Sequence, residues 1–170
     1  AQVMENPFDG WGEVDRVVLV PAINPDVTIV HVQKADRAGT ARIEGLTFAD
    51  VEQVKSAQHV IVTCEELVDT DQLRQNPDLN QIPFFVVDAV VPVRHGAYPT
   101  ACYRYYDYDP ACLNAYREVA VDDEKYEAYL KESIFDVADH AAFVDRQGDE
   151  RLSAIAADPR TGYAVGLDRR

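Results

Sequence analysis

Basic residues are scarce in this chain. Sixteen Lys and Arg stand against 30 Asp and Glu over 170 residues, a formal charge of −14. So few cations give a phosphate backbone or an anionic bilayer little to exchange for its counterions, and neither nucleic acid nor membrane is an expected partner. Long apolar runs are missing too: residues 84–93 fall short of the roughly 18 needed to span a bilayer, and Asp88 interrupts them. The first twenty residues hold Glu5, Asp9, Glu13 and Asp15 where a secretory leader would be basic and then apolar, so a cytoplasmic address is expected. Cysteine is sparse, and Cys64, Cys102 and Cys112, odd in number and set among apolar or aromatic residues, read as reduced thiols. There is no glycine-rich phosphate loop, no Cys-x-x-Cys, no nucleophile elbow and no His-Glu-x-x-His. His31, His59, His95 and His140 form no short-spaced ligand pair, and no metal is expected. What the chain does have is 47% hydrophobic residues, enough for a folded core.

Short β-branched runs alternate with helical stretches in the first half, which predicts an α/β fold with a largely parallel sheet. Residues 17–20 and 27–32 read as strands. Residues 41–43, returning after a tight turn at 36–40, should pair antiparallel with the second of them. Asp50 is placed to N-cap a helix presenting Val51, Val54 and Ala57 on one face. The apolar run 59–64 has the pattern of a strand buried on both faces and ends at Glu65-Glu66. Asp69 and Gln72 match a capping box before a short helix that Asn76-Pro77 closes. Another strand is predicted over residues 82–91, reaching an edge at Pro92. Six of the nine tyrosines lie between Tyr98 and Tyr116, so residues 94–109 should pack as an aromatic loop. The rest reads as helical: a stripe of Tyr126, Tyr129, Leu130, Ser133 and Ile134, a helix from Asp136 to near Gly148, and a last one over residues 151–157. With no repeat and no linker, residues 1–170 are expected to form a single domain.

Candidate chemistry lies mostly in carboxylates. Glu65 and Glu66 fall at the C-terminal end of a strand, where parallel sheets place their ligand sites; the structural alternative is one solvated glutamate and one paired with Arg74. Asp88, inside an apolar strand, needs a partner. Glu44, before Gly45, is a weak nucleophile candidate that would require a water-excluding cleft. His31 and His59, in or beside strands, read as structural, whereas His95 neighbours Gly96 in a loop.

Residues 60–109 resemble the A-type subunit of the glutaconate CoA-transferase group. The matching residues are Ile61-Val62-Thr63-Cys64-Glu65-Glu66, Arg74 with Asn76-Pro77, Ile82-Pro83, Val87-Asp88-Ala89-Val90-Val91, Gly96-Ala97, Pro99, and Cys102-Tyr103 leading to Tyr106-Asp107-Tyr108-Asp109. Glu5-Asn6-Pro7-Phe8, Val20-Pro21-Ala22, residues 26–31, Ile134-Phe135-Asp136 and Asp139-His140 extend the match over nearly the whole chain, which corresponds to the C-terminal half of that polypeptide.

The resemblance implies the C-terminal part of an open, layered α/β fold, mainly parallel, with flanking helices and a helical C-terminus. It implies part of a heteromeric enzyme that moves CoA between an acyl-CoA and a carboxylic acid. A glutamate carboxylate attacks the thioester to give an acyl-glutamyl anhydride, then a glutamyl-CoA thioester, splitting one hard transfer into easier steps. That nucleophile is expected outside this chain, with Glu65, Glu66 and Glu44 as weak internal candidates. The partners implied are the N-terminal half of the A-type polypeptide and a B-type subunit, together in a hetero-oligomer. A coenzyme A thioester enters as substrate, and no cofactor is covalently bound. The family usually has glycine at Phe84, tyrosine at His95, histidine at Tyr98 and glycine at Arg104, so His95, Gly96, Ala97, Tyr98 and Arg104 are expected to form an altered substrate-binding region. Two other readings follow from those departures: a diverged acyl-CoA hydrolase or ring-cleaving or rearranging enzyme on the same fold, and a non-catalytic scaffold subunit.

Overall fold

The structure, a computed structural model, describes residues 1–8 and 14–167. Strands β1 (Gln2–Glu5) and β2 (Arg16–Leu19) pair antiparallel as a separate two-stranded ribbon. β1 is not legible in the sequence, because its four residues, polar at both ends, form no apolar run and too short an alternation. The main sheet has the order β4-β3-β5-β6, built from β3 (Val27–Ala35), β4 (Ala41–Arg42), β5 (His59–Leu67) and β6 (Ala89–Pro92). β3 pairs parallel with β5 and β5 with β6, while β4 returns antiparallel to β3 as its tight turn requires. Asp36 holds that turn, its Oδ1 accepting from the amides of Ala38, Gly39 and Thr40 at 3.0 Å each.

One face of this sheet is closed. Val30, Val32, Val60, Val62 and Cys64 pack there with Val54 of helix α1 (Asp50–Ser56). The other face is divided along its length. Toward the strands' N-terminal ends, Val27 is 51% and Ile29 67% exposed. Toward the C-terminal ends, the same side-chain parity carries His31, Thr63 and Glu65, covered by the aromatic loop. β5 is therefore not buried on both faces, and it runs past Glu65 and Glu66 to Leu67. The longer strand has a local cause: the aromatic loop supplies hydrogen-bond donors to Glu65 from the His95 and Gly96 amides and to Glu66 from Tyr105, so the strand continues through charged residues.

Other boundaries differ from expectation for local reasons. Ile82 makes only an isolated bridge to Ala41; Pro83, with its fixed φ and no N–H, then starts a 3-10 turn over Phe84–Val86, confining the strand to β6. Asp50 is the first helical residue rather than the cap, because its carboxylate accepts from the Phe48 amide. Asp69 caps helix α2 (Thr70–Arg74) in position only, without a side-chain bond. Asp88 is exposed, not buried, and accepts from the Val60 amide at 2.7 Å beside His59.

The C-terminal region packs as a second core around Tyr98, Cys102, Tyr106, Cys112 and Ile155. Helix α3 (Pro110–Val119) is capped by Asp109, α4 (Asp123–Leu130) by Asp122, and α5 (His140–Asp145) by Asp139. That last cap sets the start of α5 at residue 140 instead of 136, since Asp139 takes the Ala142 amide. A π turn over Lys131–Phe135 leaves Ile134 exposed, so the expected stripe is only partly buried. Helix α6 (Asp149–Ile155) ends two residues short of the expected limit. Cys64, Cys102 and Cys112 are buried and free. Among the described residues, no helix is long and apolar enough to cross a membrane.

Candidate functional site

Glu65 is the centre of the covered end of the sheet. Its side chain is 5% exposed, and it accepts four hydrogen bonds: from His31 Nε2 and the Tyr106 hydroxyl at 2.8 Å each, and from the backbone amides of His95 at 3.0 Å and Gly96 at 3.2 Å. The parallel register sets His31 beside Thr63, and His31 Nδ1 lies 2.9 Å from Thr63 Oγ1. Burial alone would raise the carboxyl of Glu65. The bonds from His31, the His95 amide and Tyr106, with the attraction of His31, outweigh it and hold the group below the ordinary glutamate range. Glu65 is an ionised anchor for the turn above it.

That turn is made of the residues the sequence singles out. His95 adopts φ = 56°, a left-handed conformation uncommon for a residue with a side chain. Its ring stacks on Tyr106 at 4.8 Å, and its carbonyl accepts from His140 Nε2. Burial, with help from Arg94 and His140, lowers the His95 imidazole despite the pull of Glu65, so it is neutral at neutral pH. Gly96 passes so close to His31 that a Cβ there would sit 2.5 Å from the imidazole. The Ala97 amide donates to the Tyr106 hydroxyl.

Beneath the turn opens a cleft of about 650 Å³. His31, Tyr106, Ala97 and Cys102 line one side, with Glu44, Gly45 and Tyr103 on another. Gln33 joins the walls, accepting from the Glu44 amide and donating to the carbonyls of Glu44 and Tyr103. Of the expected binding group, Ala97 lines the cleft, whereas His95 and Gly96 belong to the turn held by Glu65 and do not line it. Arg104 does not line the cleft and is paired with its lining residue Glu44 at 2.9 Å. Tyr98 points elsewhere: its hydroxyl donates to Asp109 Oδ2 at 2.7 Å, inside a network with Arg151 and Gln147. Of the carboxylate candidates, Glu44 faces the cleft and Glu65 is buried at the turn it holds. Glu66 is half exposed, between Tyr105 and Lys34. Sequence reasoning does not single out His31, Gln33, Cys102, Tyr103 or Tyr106 for this site. The available signal is parity: His31 and Glu65 become neighbours once the two strands are paired parallel.

Ligating atoms of His31, Glu65 and Cys102 lie within 4.8 Å of one another. The donor chemistry suits hydrogen bonding better than an ion. The Glu65 oxygens already serve four donors, and burial, reinforced by Glu65 and Glu44, pushes the Cys102 thiol up to about 12, whereas a metal wants a thiolate. Cys102 is accordingly expected to resist alkylation. Treating the native protein with iodoacetamide at pH 8 and mapping adducts by mass spectrometry should leave Cys102 unmodified until denaturant is added; rapid native labelling would contradict the assigned burial and charge.

Residues 11–92 match the family model described as Coenzyme A transferase. The chain is 40% identical, over 98% of its length, to the A-type subunit of glutaconate CoA-transferase from Acidaminococcus fermentans, and covers 51% of that protein. It is 33% identical, over 81% of its length, to the A-type subunit of 3-oxoadipate CoA-transferase from Pseudomonas knackmussii, covering 46% of it. Its fold superposes on the crystal structure of the A. fermentans glutaconate coenzyme A-transferase with a TM-score of 0.86, over 96% of this chain and 51% of that one. The chain thus spans about half the length of the curated relatives it matches.

Proposed function

Because the chain belongs to the coenzyme A transferase family, we propose that it is the C-terminal portion of an A-type subunit, working within a heteromeric enzyme that moves CoA between an acyl-CoA and a carboxylic acid. The observation that carries this reading is the 40% identity to such a polypeptide over 98% of the chain. The cleft supports it, since it lies against the C-terminal half of the parallel strand β3, the end of the sheet at which α/β folds bind ligands. In this proposal Glu65 is a positioning residue. Oε1 takes three of its donors and Oε2 the His95 amide, and its side chain is 5% exposed and does not line the cleft, so it acts by fixing the turn at residues 95–97. The nucleophilic glutamate belongs to another chain, and a coenzyme A thioester is the substrate. Among the described residues, no lysine or arginine lines the cleft, so this chain contributes the wall for the acyl or acceptor part, and cations from the partner serve the CoA phosphates.

The remaining half of the A-type polypeptide is the occupant we assign to the open strip of Val27 and Ile29. Parallel sheets are buried on both faces, and the chain accounts for only 51% of a relative that carries both halves.

The test is reconstitution with the remaining half and a B-type subunit, followed by an acyl-CoA and a panel of acceptor acids. CoA transfer without net hydrolysis is expected. Reducing the acyl-CoA-primed complex with borohydride, which converts a glutamyl thioester to an alcohol, should modify a glutamate of the B-type chain. Net hydrolysis, or a modified glutamate in this chain, would overturn the assignment.

A further inference from the structure

One stretch of the cleft wall is apolar yet stands in water. Leu46 and Phe48 both line the cleft, and each is 87% exposed. Lone exposed apolar residues are common on proteins, but two that line the same cavity share a surface for a ligand to cover.

The segment carrying them is fixed at its ends and free between. Gln33 holds Glu44 at one end, accepting from its amide at 2.9 Å and donating to its carbonyl at 3.1 Å. At the other end the Ala49 carbonyl accepts from the Gln53 amide of α1. Among the described residues, no hydrogen bond ties Gly45, Leu46 or Thr47 to another part of the chain, and the Phe48 amide reaches only Asp50, two residues on. Gly45 has φ = 94°, and a Cβ there would sit 3.0 Å from the Tyr103 ring, so glycine alone gives this end an unstrained hinge. A loop held in this way moves without breaking long-range bonds.

The carboxylates of the wall are already engaged. Glu44 pairs with Arg104, Asp50 takes the Phe48 amide, and Asp107 takes the amides of Tyr108 and Ala164. Beyond them the cleft offers hydrocarbon and ring surface, from Leu46 and Phe48 with Ala97, Ala101 and Tyr163. An aliphatic chain is the ligand part that this surface fits, since covering it removes apolar area from water on both sides and strands no charge.

We propose that residues 45–48 form a flap over the cleft, with Leu46 and Phe48 as its specificity-determining residues, closing on the hydrocarbon part of the acyl group or acceptor acid. The assignment rests on reading the cleft as the acyl-binding part of a transferase, and it selects longer aliphatic acids over shorter ones.

Closure can be measured apart from transfer, using free acids. Butyrate, hexanoate and coenzyme A would be titrated calorimetrically into the assembled protein, with this chain either wild type or carrying Leu46→Ser and Phe48→Ser together. Amide hydrogen exchange at residues 45–49 would be followed with and without hexanoate. Hexanoate is expected to bind wild type about tenfold tighter than butyrate, the gain from two further buried methylene groups, and to slow exchange at residues 45–49 by about fivefold or more. The double variant should bring the ratio of affinities below about threefold and leave coenzyme A within about twofold. It should melt with wild type, because both side chains are exposed. Equal binding of the two acids to wild type would overturn the proposal, as would a ratio unchanged in the double variant or exchange unaffected by hexanoate. Amides at 45–49 already protected in the ligand-free assembly would overturn it too, assigning Leu46 and Phe48 to contact with a partner subunit. An assembly without CoA transfer that still shows the chain-length preference and the protection would overturn the proposed reaction and leave this assignment standing.

Discussion

Glu65→Gln is expected to destabilise the chain by about 3–5 kcal/mol, the range seen when one member of a buried ion pair is removed. His31, Tyr106 and the Gly96 amide converge on Oε1 and the His95 amide on Oε2, so a neutral amide keeps one oxygen as acceptor and turns an NH2 group on the donors at the other. Urea unfolding of wild type and variant would measure the loss, and a difference below about 1 kcal/mol would show that the node is dispensable. The pH dependence has a definite sign. Glu65 titrates lower in the folded chain than its ordinary value of 4.5. Its contribution is therefore fully present above about pH 4.5 and is lost as pH falls through the depressed folded value. The gap between wild type and Glu65→Gln should accordingly narrow on acidification below about pH 4.5 and stay constant between about pH 6 and 8.

Asp109→Ala should cost about 2–4 kcal/mol, combining a lost helix cap with a broken, largely buried ion pair. Its carboxylate is 3% exposed and takes the Arg151 guanidinium, the Tyr98 hydroxyl and the Cys112 amide that starts α3. Burial raises this group, but Arg151, the Cys112 amide and Tyr98 together hold it below the ordinary aspartate range. The figure is set below that for Glu65 because the Arg151 side chain is about one-third exposed and can rehydrate. Asp109→Asn, which keeps the cap acceptor, should recover part of the loss. Thermal melts of the three proteins would decide, and equal stability of Ala and Asn variants would remove the cap from the account.

The strands whose residues alternate or form apolar runs are legible in the sequence: β3, β5 and the antiparallel return of β4. So is the aromatic loop, because six tyrosines within residues 98–116 can only pack together or be wasted on solvent. The stretch at residues 82–91 misleads because its apolar residues include Phe84 and Phe85, which stay exposed after Pro83 turns the chain. Of the residues singled out by type, Glu44 and Ala97 line the cleft and Glu65 holds the turn at residues 95–97. The partnership of His31 with Glu65 does not show, since 34 residues separate them and only strand register brings them together. Tyr98 has the look of a binding residue from its place in the loop. A buried Asp109 draws its hydroxyl inward, and that long-range pairing leaves no trace in local spacing.

The exposed aliphatic strip of Val27 and Ile29 also bears on how much of the protein a cell would hold. Chaperones and proteases act on uncovered β-strand surface of this kind. In the assembly proposed above, an unassembled copy would be retained or degraded, and the level of the complex would follow whichever component is made most slowly. Synthesis of the chain in excess would then produce turnover, not surplus enzyme.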